Sequence, residues 1–166
     1  MNTRAALKAQ YHAALAMLKQ TIEQCPDDLW AGGSNPVAYW RVVYHALFFT
    51  HMYLQPDIQS FRPWQHHRDQ HECLGDLPYS PYGPAKVGDP YTKPQLLEYW
   101  RLCDEMNDAA VDHLDLDAPE CGFPWYKLPK LDHQINNIRH IQHHAALLAG
   151  RLRQACGLDI EWVGFK

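Results

Sequence analysis

Two histidines at helical spacing are the first residues in this chain whose types could do chemistry. The segment Asn136-Asn137-Ile138-Arg139-His140-Ile141-Gln142-His143-His144 carries imidazoles at positions i and i+4. At about 100° per residue, His140 and His144 stand about 40° apart on successive turns, with Cβ atoms about 5 to 6 Å apart. Two such rings can share one cation, because metal–nitrogen bonds are about 2.0 to 2.1 Å long. One helix supplies only two corners, so a third ligand must come from a neighbour. His45 fits, lying among Ala38, Val42 and Phe49 in a run that is apolar nearly all round. Metal sites in helical bundles are assembled in this way from facing helices. The alternatives are surface rings, or core rings satisfied one by one by hydrogen bonds. Clustered neutral rings without an ion would leave nitrogens unpaired at about 1 to 3 kcal/mol each. That penalty favours a three-histidine metal site at His45, His140 and His144. Imidazole suits zinc, nickel, copper and iron alike, so the ligands do not name the ion.

The other histidines are expected elsewhere. His133 precedes His140 by seven residues, about 10.5 Å of helical rise, too far to share its ion, and packing or substrate contact suits it better. His143 turns about 60° away toward the polar side, as a surface or interface ring. His51 lies nearly two turns beyond His45 and points away. Asn137, one turn before the pair, has two readings: it orients a ligand ring or a water, or it bonds one helix to another. His66, His67 and His71 lie among Gln65, Arg68, Asp69, Gln70 and Glu72, so exposed, titrating rings are expected there rather than a second metal site.

Four helical segments would position these residues. Leu7, Tyr11, Ala14, Leu15, Leu18 and Ile22 fall at the i, i+3, i+4 spacing of a helix over 4–24. Asn35-Pro36 reads as a cap followed by proline in the first turn, opening a buried helix over 36–54. Residues 55–91 hold six of the twelve prolines and little periodicity, which predicts a long structured excursion with exposed aromatics. Thr92-Lys93-Pro94-Gln95 fits a capping box and opens a helix over 93–114. The last helix is predicted over 130–155, stopped by Gly157, and a tail with Trp162 and Phe165 is expected to fold back. No segment alternates as a strand does, so the class is all-α, a four-helix bundle with a long connection between its second and third helices, in one domain over 1–166.

Composition bounds the partners. With 46% hydrophobic and 20% charged residues, 166 residues suffice for one packed core, which excludes a disordered or fibrous chain. The formal charge of -4 has the wrong sign for binding by phosphate neutralisation, so no nucleic acid is expected. The N-terminal stretch lacks an apolar run fit for a signal peptide or a span, which predicts no membrane association and a cytoplasmic protein. Five scattered cysteines without a C-x-x-C pair read as reduced thiols.

The segments NPVAYWRVVYHALFFTHMYL (35–54) and GFPWYKLPKLDHQINNIRHIQHHAALLAGRLR (122–153) resemble the DinB/YfiT-like family of metalloenzymes, and the likeness spans most of the chain. By position the family's ligands fall on His45, His140 and His144. The resemblance implies a four-helix bundle with a long second crossover, a homodimer, and a zinc or nickel ion with open positions. It also implies activities of the metal-dependent thiol S-transferase, thiol-dependent isomerase or hydrolase kind.

Three neutral ligands leave an ion its full charge, able to acidify a bound water or thiol. The leading expectation is a metal-dependent enzyme that activates a low-molecular-weight thiol or water against a small electrophile. Phe61, Trp64, Tyr79, Tyr82, Tyr91 and Trp125-Tyr126 would cover the mouth. Asp69, Glu72, Asp76 and Asp132 are candidate acids or bases by nearness in sequence alone. The rival readings are a nonenzymatic metal-binding dimeric scaffold or stress-related protein, and a metal-free bundle.

Overall fold

A computed structural model describes residues 2–78 and 83–166. Tyr79 and Tyr82, two of the aromatics expected over the mouth, lie outside the described residues. Five helices form, and no strand is present among the described residues: α1 (Thr3–Gln24), α2 (Asp27–Ala31), α3 (Tyr39–Tyr53), α4 (Lys93–His113) and α5 (Lys130–Cys156). The Asn2 side chain accepts from Ala5 N at the start of α1. Thr92 and Gln95 form the capping box at α4, each side chain bonding the other's backbone. Gly157 ends α5 with φ 68°, a left-handed conformation that glycine adopts without Cβ strain.

The predicted start of α3 is corrected. Asn35 and Pro36 are exposed and non-helical, Ala38 is the N-cap, and the helix opens at Tyr39. Arg151 on α5 donates to the Val37 carbonyl at 2.8 Å, while the Arg41 amide takes the Ala38 carbonyl at 3.2 Å. A tertiary contact thus holds the carbonyl that an earlier start would have needed. The short α2 has no counterpart among the predicted helices; Leu29 and Trp30 anchor it, and Trp30 Nε1 donates to the Tyr91 carbonyl at 2.7 Å.

Helices α1 and α3 each pack against both α4 and α5. The apolar stripe of α1 (Leu7, Tyr11, Leu15, Leu18, Ile22) and nearly every side of α3 are buried between them. Each buried leucine or valine contributes about 1.5 to 3 kcal/mol relative to exposure. Several polar groups inside are matched across helices: Tyr11 OH donates to Gln134 Oε1 at 2.7 Å, and Gln134 Nε2 donates to the Tyr53 carbonyl at 2.9 Å. Tyr39 OH reaches the Leu148 carbonyl at 3.4 Å. With Tyr39 beside Leu148 and Tyr53 beside Gln134, α3 and α5 run antiparallel.

Among its described residues the connection from α3 to α4 contains no helix, and it carries an isolated bridge between Asp76 and Pro84. Its aromatics differ from expectation. Phe61, Trp64 and Tyr91 are core residues rather than exposed ones, with Trp64 stacked on Tyr99 at 4.6 Å and Tyr91 on Tyr44 at 4.7 Å. The C-terminal tail does return along α1: Gln20 bonds Glu161 in both directions at 3.1 and 2.8 Å. It packs through Ile160 and Val163, while Trp162 and Phe165 stay exposed.

Candidate metal centre

The middle of α3 delivers His45, and two consecutive turns of α5 deliver His140 and His144. The three rings meet. His45 Nε2 is 3.0 Å from His140 Nε2, and His144 Nε2 is 3.1 Å from the same atom. One ring nitrogen from each of the three lies within 4.8 Å of the others, so the group could hold a metal ion. His144 is buried, the other two are half-buried, and the Phe49 ring packs on His45 at 4.8 Å and on His140 at 5.7 Å.

The proton inventory of this cluster does not close by itself. His45 Nδ1 lies 2.6 Å from the Glu72 carbonyl, which can only accept, so Nδ1 carries the hydrogen and the neutral ring turns a lone pair at Nε2 toward its neighbours. A hydrogen on His140 Nε2 can serve His45 or His144 but not both, and a second hydrogen on His144 Nε2 would face the first. His140 Nδ1 and His144 Nδ1 are buried without partners, so neither ring gains by moving its hydrogen there. A cation would accept all three Nε2 lone pairs at once, with the His140 and His144 hydrogens on Nδ1 and the metal–nitrogen bonds offsetting those two unpartnered N–H groups. Two nitrogens on one ion stand about 2.8 to 3.4 Å apart for bonds of about 2.0 to 2.1 Å and angles between about 90° and 110°, and the two separations from His140 Nε2, 3.0 and 3.1 Å, fall in that interval.

Electrostatics point the same way. Burial pushes His45 down to about 4, His140 to about 3 and His144 to about 2, and the rings lower one another further in His140 and His144. All three are therefore neutral near pH 7, the form in which imidazole binds a metal. The carbonyl on His45 Nδ1 is the outer partner that such ligands commonly use to fix ring orientation.

The remaining histidines stay apart from this group. His133 is fully buried between Tyr53, Phe123 and Tyr126, at ring distances of 4.6, 5.1 and 5.3 Å, in a packing role. His143 is exposed, its ring 5.0 Å from that of His144. His51 faces Tyr99 OH at 3.2 Å. His67 Nδ1 pairs with Tyr44 OH at 2.6 Å, and His71 is buried against Trp40 and Tyr91, so these two are not the exposed rings expected. Asn137 bonds Tyr11 OH at 2.9 Å and the Thr50 carbonyl at 3.5 Å, the helix-to-helix role rather than a ligand-orienting one.

No family model, no curated protein and no solved structure matches the chain. Among the described residues no carboxylate joins the three rings. Asp69 is almost fully exposed and contacts His67 at 3.3 Å, Asp76 and Asp132 are exposed, and Glu72 takes part through its backbone carbonyl instead of its side chain. Sequence reasoning missed two contributors, that carbonyl and Arg41. The only signal for Arg41 was its position four residues before His45, on the same helical face.

Proposed function

We propose that the protein binds a divalent metal ion, zinc or nickel, through His45, His140 and His144, and that it is an enzyme acting on a small electrophilic substrate with a low-molecular-weight thiol or water as nucleophile. The observation that carries this reading is the convergence of three neutral Nε2 atoms whose hydrogens cannot all be placed, one ring being locked in the ligating tautomer by the Glu72 carbonyl. When bound, an ion held by three uncharged ligands supplies the charge that lowers the pKa of a thiol or water and fixes its direction. The chain's own residues hold that arrangement: Glu72 orients His45, and Phe49 covers two of the rings and excludes water from one side. The packing of α1 and α3 on α4 and α5 supports a four-helix bundle, whereas the thiol S-transferase or hydrolase activity rests on the resemblance of 35–54 and 122–153 to the DinB/YfiT-like family, since a fold alone does not carry an activity. That likeness also implies a homodimer, which light scattering after gel filtration checks.

Elemental analysis of the purified protein tests the centre. About one equivalent of metal is expected in the wild type, with most of it lost in His140→Ala and His144→Ala. Retention in both variants would remove the site. Enzyme and scaffold then separate by thiol consumption and ester hydrolysis over a panel of small electrophiles. A metal-dependent rate abolished by His45→Ala supports the enzyme; a metal-loaded protein silent in every assay is a scaffold.

A further inference from the structure

The three rings are neutral, and two cationic groups on the same two helices have no carboxylate within 4.0 Å; the Glu72 carboxylate, whose Oε2 is buried without a partner, reaches neither of them. Arg41 lies one turn before His45 on the same face of α3, and its charge contributes to the lowered pKa of His45. One of its terminal nitrogens donates to the Cys73 carbonyl, the peptide next to the Glu72 carbonyl that holds His45. Its Nε is buried and has no partner. Arg151 stands seven residues after His144 on nearly the same face of α5, at the end of the antiparallel pair that also carries Arg41. It donates to the Val37 carbonyl at 2.8 Å, and its Nε is likewise buried and unpartnered. Among the described residues no carboxylate oxygen lies within 4.0 Å of either guanidinium. The undescribed residues Met1 and Tyr79 to Tyr82 include no acidic side chain.

This lack is local. The chain carries nineteen acidic residues, and elsewhere it spends them on neighbours: Asp104 and Asp108 flank His12 at 2.7 and 3.1 Å, and Asp112 meets Lys8 at 2.7 Å. A half-buried guanidinium with a buried, unmatched N–H is costly unless something completes it. Three uncharged ligands around a divalent ion would add two further positive charges at the same place. A planar guanidinium with free N–H groups matches a carboxylate in both charge and fork geometry.

We infer that Arg41 recognises a carboxylate on the small molecule that binds at the histidine cluster, so the substrate class is a small organic acid. This rests on the metal reading above. Arg151 strengthens the positive field at that end without touching the ligand.

Titration calorimetry with zinc-loaded protein tests it, using 3-mercaptopropionate and its neutral methyl ester as probes. The wild type is expected to bind the acid at least about tenfold more tightly than the ester, as charge-assisted hydrogen bonds allow. Arg41→Gln should still take up one zinc and lose that preference. Arg41→Lys, which keeps a cation and a donor for the Cys73 carbonyl, should retain part of it and decides the matter if the glutamine variant fails to fold. Raising the salt concentration should shrink the preference in the wild type and what remains of it in Arg41→Lys, and change little in Arg41→Gln. Zinc-loaded wild type that treats acid and ester alike, or a preference undiminished in the Arg41 variants, overturns the carboxylate assignment and leaves the metal centre standing. A protein that takes up no zinc overturns both.

Discussion

Replacing His144 with leucine should raise stability without metal and lower it with metal. With three rings, one Nε2 is always unmatched, and His144 Nδ1 is buried without a partner as well. Leucine is close to histidine in volume and removes both atoms. The Nε2 atoms of the remaining pair are then matched, because His140 Nε2–H can donate to the His45 Nε2 lone pair at 3.0 Å, and only His140 Nδ1 stays without a partner. Relieving buried unsatisfied groups is worth about 1 to 3 kcal/mol, offset by up to about 1.5 kcal/mol of repacking. A net gain of about 1 kcal/mol raises Tm by about 2 to 4 °C in a chain of this size. Zinc at about a hundred times its Kd stabilises the wild type by about 2.7 kcal/mol and should do little for the variant. The order of the two melting temperatures should therefore invert between chelator and zinc. Calorimetric melts of both proteins under both conditions read this directly. A variant less stable than the wild type in chelator, or one that gains as much from zinc, would refute the unmatched-proton argument.

Three further perturbations have defined signs. His51 and His133 are held by burial at about 4, below the ordinary 6.5. The unfolded chain therefore binds protons that the folded one refuses, and stability present at pH 7 is lost as pH falls from about 6.5 to 4, by up to about 3 kcal/mol per ring. Urea midpoints in chelator at pH 7 and 4.5 should show the drop, and equal midpoints would contradict it. Gly122 has φ 86°, and a Cβ there would meet the Pro56 carbonyl oxygen at 2.5 Å and the Asp57 Cα at 2.9 Å, so Gly122→Ala should cost at least about 2 kcal/mol in urea unfolding; a loss under about 0.5 kcal/mol would mean that the two loops part easily. Thr92→Ala removes the capping box of α4 and should cost about 1 kcal/mol while leaving zinc uptake unchanged, as titration with zinc would verify.

What could be read from the sequence is what local period and local chemistry encode. The i, i+4 pair on α5, the Thr92 cap and the Gly157 stop each rest on a few neighbouring residues, and each recurs in the structure. His45 was accessible because α3 is apolar on almost every side, so its polar members had to find partners inside. The start of α3 was misread for the opposite reason. Asn35-Pro36 is a good local cap, but Arg151, more than a hundred residues away, takes the Val37 carbonyl and moves the boundary. The aromatics of the excursion have no period, so nothing in their spacing could show that Trp64 stacks on Tyr99 or Tyr91 on Tyr44.

The excursion is also where the site is completed. Two consecutive carbonyls, of Glu72 and Cys73, accept from His45 and Arg41, so the same short stretch of backbone orients one ring of the cluster and holds a cation beside it. Gln70, just upstream, adopts φ 69°, rare for a residue with a side chain, and its Oε1 accepts from Lys86 N at 2.8 Å. Such a conformation persists only where surrounding contacts determine it. Backbone carbonyls leave no trace in residue type, since any amino acid at position 72 presents the same oxygen. The pair of helices thus carried the readable half of the centre, and the connection between α3 and α4 supplied the half that only the fold reveals.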